Sequence, residues 1–332
     1  GGIGIHVTVR QDRLIVVTPM EDSPGIKAGI LPGDQIIKID GVPTEKLDLD
    51  DAITKLRGEP GSKITLTILR TPANEVKEFT LVREEIKVTS VKDANLLPKE
   101  QTGDFKIGYA RITQFNSPTD EELGAILDRM ETQGMQAYIL DLRYNPGGLL
   151  DSAVKVAGQF LPPNTLIAST EGRVPSQSKT YRVPATMKKR DNYPVAVLIN
   201  NGSASGSEIV AGALKDLNRA IIVGETSFGK GSVQSVIQLQ DGSALRLTTA
   251  KYYTPSKQVI HEHGVEPTIR ATMTAEQERL LILQRRDDPT DQSRKRELAN
   301  FRDTQLERAI DALKGMMIYA DRSTGVRKAT TP

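Results

Sequence analysis

The 332 residues include no cysteine and no tryptophan, only three histidines, and 4% aromatics. Without cysteine the chain can form no disulfide, no thiolate nucleophile and no sulfur-ligated metal site. A zinc site would have to draw on His6, His261 and His263 with carboxylates. His261 and His263 are two positions apart, which is not the spacing of a helical zinc site, so neither metal nor cofactor is expected. Long apolar runs are also missing: none approaches the roughly 18 residues that a membrane helix requires. Nor does charge of one sign prevail. Lys and Arg number 44 against 42 Asp and Glu, for a net charge of +2. Nothing in that balance calls for nucleic acid or an acidic membrane as partner. What is present is 38% hydrophobic and 26% charged residues, the composition of a soluble globular chain with room for two medium domains. No repeat of solenoid period is visible. Position 1 is glycine, not methionine, so an N-terminal segment is expected to have been removed, an export signal or anchor being one candidate.

Residues 1–88 read as one unit. Leu14-Ile15-Val16-Val17 is a β-branched run, and Asp22-Ser23-Pro24 opens a short helical piece that closes at Ala28-Gly29. Leu31-Pro32-Gly33-Asp34 is a turn feeding the strand Gln35–Ile39, and Asp40-Gly41 is a hairpin signal. Leu49, Ala52, Ile53 and Leu56 fall on one face of a helix, and Ile64–Leu69 alternates like a strand. Gly2-Ile3-Gly4-Ile5, followed by these turns in this order, resembles a PDZ domain, a module that takes up a peptide C-terminus as an added strand. The resemblance implies that Gly2, Ile3, Gly4 and Ile5 supply backbone amides to a terminal carboxylate, where glycine permits close approach. It also implies that the helix carrying Ile53 forms the facing wall. The plainer alternative is a frayed terminus.

Residues 89–104 read as a linker, broken by Asp93, Asn95, Pro98 and Gly103. Beyond them, Phe105–Ile112, Ala137–Leu142, Pro194–Ile199 and Ala220–Gly224 read as strands. Thr119 to about Gln133, Leu149–Phe160 and Ser207–Leu214 read as the helices between. Strands alternating with helices indicate an α/β core over residues 105–274 with a largely parallel sheet. Residues 275–332 form a charged tail with helical spacing over Glu276–Arg286 and Arg294–Ala312, suited to packing on a core edge or to assembly.

The segment Asn200-Asn201-Gly202-Ser203-Ala204-Ser205-Gly206-Ser207-Glu208 crowds small residues around a serine, and Lys230 lies between Gly229 and Gly231. A serine hydroxyl needs a base to take its proton. Lysine can be that base only when its ordinary pKa of about 10.4 is lowered by several units, which burial achieves. Phe228, Val233 and the strand Ala220–Val223 are the expected apolar walls. Gln234 is suited to orient the amine without adding a charge. The oxyanion would need two backbone donors: Gly206 after the nucleophile, and one from the Pro146-Gly147-Gly148 turn, Gly147 or Gly148, at the end of another parallel strand.

These segments extend the resemblance over nearly the whole chain. Asp141-Leu142-Arg143 with Asn145–Leu149, Gly202–Ser205 with Ser207–Ile209, Gly224–Gly231, Thr248–Ser256 and Gly264–Pro267 are similar to the carboxyl-terminal processing, or tail-specific, proteases of the S41 serine protease family. The resemblance implies a crotonase-like α/β protease core with a PDZ module. It also implies a Ser-Lys dyad of Ser205 and Lys230 with Gln234 beside it, and an extracytoplasmic setting such as the periplasm or cell envelope. Expected substrates are proteins with accessible, apolar C-termini. A membrane-associated or adaptor protein and a second copy of the chain are the further partners left open. Two positions depart from the family pattern: Lys257 stands where a glycine usually follows Thr-Pro-Ser, and Gly206 stands where alanine is more frequent. The helical segment that often precedes the PDZ unit and takes part in dimerisation is not in this sequence.

Ser203 and Ser207 are rival nucleophiles, better suited to shaping the turn and to the first helical turn. Glu208 reads as a partner of the helix dipole. Against the Ser-Lys enzyme stand a Ser-His enzyme using His261 and a peptide-binding scaffold with an inactive core.

Overall fold

The computed structural model describes all residues except 11–12, 21–22, 32, 46, 71–74, 87–88, 174–177, 239–242, 286–296, 299 and 330–332. Asp22, Pro32, Arg286 and Arg294, invoked above, lie outside that set, as do the side chains of residues 234–237. The chain divides into two compact units, residues 1–88 and 89–332.

The first unit holds β1 (Ile5–Arg10), β2 (Arg13–Pro19), α1 (Pro24–Lys27), β3 (Gln35–Ile39), β4 (Val42–Pro43), α2 (Leu49–Leu56), β5 (Lys63–Arg70) and β6 (Glu75–Val82). The sheet runs β1-β2-β3-β5-β6, with β4 paired to β3. Asp40 and Gly41 take φ 49° and 78° and join Ile39 to its partner Val42, the two-residue turn that the Asp-Gly pair favours. Ile36, Ile64, Leu66 and Ile68 are fully buried beneath Ala52 and Leu56 of α2. Each such side chain contributes about 1.5–3 kcal/mol of burial. β1 ends the sheet order, so one edge of it lacks a paired strand among the described residues.

The second unit holds β7 (Val91–Leu96), α3 (Lys99–Thr102), β8 (Ile107–Ile112), α4 (Thr119–Thr132), β9 (Ala137–Asp141), α5 (Leu150–Gly158), β10 (Leu166–Gly172) and β11 (Lys179–Arg182). It continues with β12 (Val195–Ile199), α6 (Gly206–Asp216), β13 (Ala220–Gly224), β14 (Ser232–Gln238), β15 (Ala244–Tyr253), β16 (Ile269–Arg270), α7 (Ala275–Gln284) and α8 (Thr304–Ala329). One sheet runs β16-β13-β12-β9-β8-β7. Its pairs are parallel from β16 to β8, and β7 is antiparallel to β8. Every residue of β9 and β12 is buried, as a sheet covered on both faces requires. Helices α4, α5 and α6 fill one side. On the other, Ala309, Ile310 and Leu313 of α8 pack on Ile139, Ala196, Leu198 and Val223, so the charged tail does cover the core. A second, antiparallel sheet runs β11-β10-β15-β14.

The stretch 89–104, read from its breakers as a linker, instead carries β7 and α3 within this unit. Its strand is irregular: the register with β8 shifts between Lys92 and Asn95, and Asp93 adopts φ 53°. The residues that suggested an interruption mark a bulge inside a paired strand.

Candidate active site

Strand β12 delivers the chain to Asn200, and helix α6 starts at Gly206. Between them the backbone must reverse sharply, and Ser205 absorbs the reversal with φ 54° and ψ −110°. A non-glycine residue there is strained by about 1–3 kcal/mol, and the surrounding frame must hold it. The frame is visible in the hydrogen bonds. Ser203 Oγ donates to Leu142 O at 2.8 Å, Ala204 N donates to Asn145 O at 3.0 Å, and Ser207 Oγ donates to the same oxygen at 2.9 Å. Ser203 and Ser207 are fully buried in these bonds, whereas Ser205 is half-buried.

Asn145-Pro146-Gly147-Gly148 lies against this elbow. A β-carbon on Gly147 would fall 2.8 Å from Ser205 Cβ and 2.9 Å from Gly206 N, and one on Gly148 would fall 2.2 Å from Phe115 O. The two glycines are therefore required by close approach, the first of the turn to the serine and the second of the turn to the Phe115 backbone. Of the three amides expected to be oxyanion donors, that of Gly147 donates to Asn145 Oδ1 at 2.9 Å. Those of Gly148 and Gly206 donate to no acceptor among the described residues. Gly206 has a packing reason of its own: a β-carbon there would lie 3.0 Å from the Phe115 ring and 3.2 Å from Ala153. The glycine gives a tight fit here, not the looser turn its small size suggests.

Glu208 does more than face a helix dipole. Fully buried, it accepts from Ser205 N at 2.8 Å and from Lys230 N at 2.9 Å through Oε2. Through Oε1 it accepts from Ser227 Oγ and Gly229 N, both at 2.6 Å. One carboxylate thus joins the backbone of the serine elbow to the backbone of the lysine loop. The Ser-x-x-Glu spacing at a helix start was the signal available in sequence, but its bonds to residues 227–230 were not.

The lysine side chain is placed differently from expectation. Lys230 is exposed, and its amine makes no hydrogen bond or ion pair among the described residues. Phe228, proposed as a wall, is 67% exposed. The carboxylate of Glu208 fixes the loop amides, but among the described residues the lysine side chain is left exposed. Gln234 lies in β14 opposite Thr248, directly after a register shift. The segment of His261 runs beside this loop: Glu262 N donates to Gly229 O at 2.9 Å, and a β-carbon on Gly231 would fall 2.3 Å from His261 N. Among the described residues no cluster of His, Asp and Glu suits a metal ion.

The turn after β9 begins in a buried charge cluster. Asp141 accepts from Tyr109 Oη at 2.7 Å and from Arg143 and Arg285. Burial alone would raise its pKa, but the two guanidinium charges and these hydrogen bonds outweigh it and hold the carboxyl well below the usual range.

In the first unit a cavity of about 440 Å³ lies between the open edge of β1 and α2, lined by Ile3, Gly4, Ile5, Val7, Ile53 and Leu56 among others. Gly1 is anchored, not frayed: its carbonyl accepts from Gly58 N at 3.2 Å. Gly2 N is taken by Glu84 O at 2.9 Å, while the amides of Ile3 and Gly4 have no acceptor among the described residues.

Residues 106–271 match peptidase family S41, and residues 15–70 match the PDZ domain. A carboxy-terminal-processing protease of Bartonella bacilliformis is 46% identical over 81% of this chain, which spans 61% of that relative. A carboxyl-terminal-processing protease of Synechocystis is 36% identical over 99% of this chain and 72% of its own length. A crystal structure of a Bacteroides fragilis protein assigned to the S41 proteases superposes with a TM-score of 0.55 at 20% identity. That match covers 95% of this chain and 83% of the other, and at this identity the likeness is one of fold.

Proposed function

The chain belongs to peptidase family S41, and from that premise we propose that it is a serine endopeptidase, on a crotonase-like core, that binds a protein's C-terminal tail and cuts upstream at Ser205. The observation that carries this reading is the strained elbow at Ser205, followed by the Gly206 amide and packed against the turn that holds the Gly148 amide, both without an acceptor among the described residues. Ser205 Oγ attacks the scissile carbonyl, and Lys230 takes its proton. The two amides stabilise the oxyanion, and Lys230 returns the proton to the departing amine. Water, deprotonated in turn by Lys230, then hydrolyses the acyl-enzyme. Gln234 orients the amine.

The amine must be neutral for this step, hence desolvated. In its described position the side chain is exposed, so the amine is still hydrated. The chemistry therefore needs the loop of residues 227–231 and a covering substrate to enclose it, and tail binding in the groove is proposed to favour that closed arrangement. The tails taken up end in apolar residues, matching the Ile3, Ile5, Ile53 and Leu56 walls. The proposed setting is extracytoplasmic. Among the described residues no helix is long and apolar enough to cross a membrane.

One observation favours a second reading: His261 Nδ1 is buried with no hydrogen-bond partner among the described residues, in a segment touching the lysine loop, so a Ser-His pair is the mechanistic rival. Labelling by a serine-directed sulfonyl fluoride, mapped by mass spectrometry, separates them. The expected adduct is on Ser205. It should be lost in Ser205→Ala and Lys230→Ala, kept in His261→Ala, and accelerated by an apolar tail peptide in wild type but not in Ile53→Asp. Loss in His261→Ala alone supports the Ser-His enzyme, and peptide binding with neither adduct nor turnover supports a scaffold.

A further inference from the structure

The turn that presents Gly147 and Gly148 has two bonded sides. Toward the serine elbow, Leu142 O, Asn145 O and Tyr144 N are all engaged, the last donating to Asn200 Oδ1 at 2.9 Å. On the other side the partners come from the C-terminal segment. The guanidinium of Arg143 is 1% exposed and reaches Asp303 through two bonds of 2.9 and 2.7 Å. It also donates to Gln305 Oε1 at 3.1 Å and to Asp141 at 2.7 Å. Arg285, at the end of α7, donates to Asp141 at 2.5 Å and lies 5.8 Å from the centre of the Tyr144 ring. Gln305 Nε2 is itself held by Ala271 O at 2.8 Å.

Asp141 and Asp303 balance Arg143 and Arg285, so the cluster is neutral overall. Buried ion pairs are poor sources of net stability, because desolvation offsets their attraction. What they do provide is direction. A guanidinium with its fork filled by a carboxylate has one position, and Arg143 is the first residue after Leu142 in the turn beside the nucleophile. Next to it, Tyr144 is held at φ 61°, a conformation that needs a stiff support.

We infer that Asp303 and Arg285 are positioning residues for the reaction: Asp303 through the Arg143 guanidinium, and Arg285 through Asp141 and the Arg143 carbonyl, set the oxyanion turn against Ser205, so the C-terminal segment is part of the catalytic machinery. The inference rests on the reading of Ser205 as nucleophile and Gly148 as an oxyanion donor. A displacement of an ångström at such a donor is worth roughly a hundredfold in rate.

The test compares kcat and KM of the full chain on a tail-bearing peptide for wild type, Ser205→Ala, Asp303→Ala, Asp303→Asn, Arg285→Met and Arg285→Lys, at a temperature well below each thermal midpoint. The expected result is a kcat reduced about 10- to 100-fold in Asp303→Ala and Arg285→Met with KM within about twofold, since peptide capture is untouched. Inactivation by the sulfonyl fluoride should slow in parallel. Asp303→Asn and Arg285→Lys should recover part of the loss. If Asp303→Ala does not fold, the isosteric Asp303→Asn carries the test. Variants with lowered midpoints but wild-type kcat overturn the inference and leave a structural role only. Unchanged turnover in Ser205→Ala instead overturns the reading beneath it.

Discussion

The two halves of the site differ in how completely the fold finishes them. On the serine half, residues 206–214 of α6 are all buried, and the elbow is bonded to the turn after β9. On the lysine half the backbone is held by the same Glu208, yet the amine of Lys230 and the ring of Phe228 face solvent. In the proposed Ser-Lys mechanism the difference follows from what each group needs. A nucleophile strained into place requires a frame that exists before substrate arrives. A lysine base requires loss of water, which a substrate can supply on arrival. On that proposal the hydroxyl is held ready while the amine remains exposed until a substrate covers it.

Replacing the carboxylate common to both halves should have the largest effect. Glu208→Gln puts an NH2 group against two of the four donors, leaving buried N–H or O–H groups unsatisfied at about 1–3 kcal/mol each. Turnover should fall about 100-fold with a lowered urea midpoint, and the two measured together test whether one residue couples the halves. The serine half can next be loosened from behind by pH. Because the folded-state pKa of Asp141 is depressed, its stabilising contribution is present above the ordinary carboxylate range of about 4 and lost as pH falls below it. Asp141→Asn should cost about 3–5 kcal/mol at pH 7, the penalty of breaking a buried pair, and urea titrations should show the gap to wild type narrowing below about pH 4. A change outside both halves should matter least. Lys257 occupies φ 66°, where glycine is favoured, but its amine contacts Glu171 and Ser169. Lys257→Gly trades those contacts for relief of strain of about 1 kcal/mol, so its thermal midpoint should stay within a few degrees of wild type.

Much of this arrangement could be read from residue order. Strand Gln35–Ile39 and the Asp40-Gly41 hairpin follow from β-branched alternation and turn chemistry, and the elements occur where that reading puts them. The apolar runs of β9 and β12 announced buried parallel strands. β7 escaped because Asp93 and Asn95, which mimic a loop, accompany a bulge in a paired strand. The role of Glu208 escaped because its partners at Ser227, Gly229 and Lys230 are distant in sequence. So did the link from Arg143 to Asp303, which spans 160 positions.

Local chemistry alone specified the two modules, the small residues around Ser205 and the glycine-flanked lysine, because periodicity, turn residues and close-approach glycines act over a few positions. Tertiary structure decided the rest: which serine reaches the surface, which turn amides stay unengaged, and that the lysine amine stands in water. Those outcomes depend on burial and on hydrogen bonds between segments far apart in the chain, and no local pattern encodes what another segment will cover.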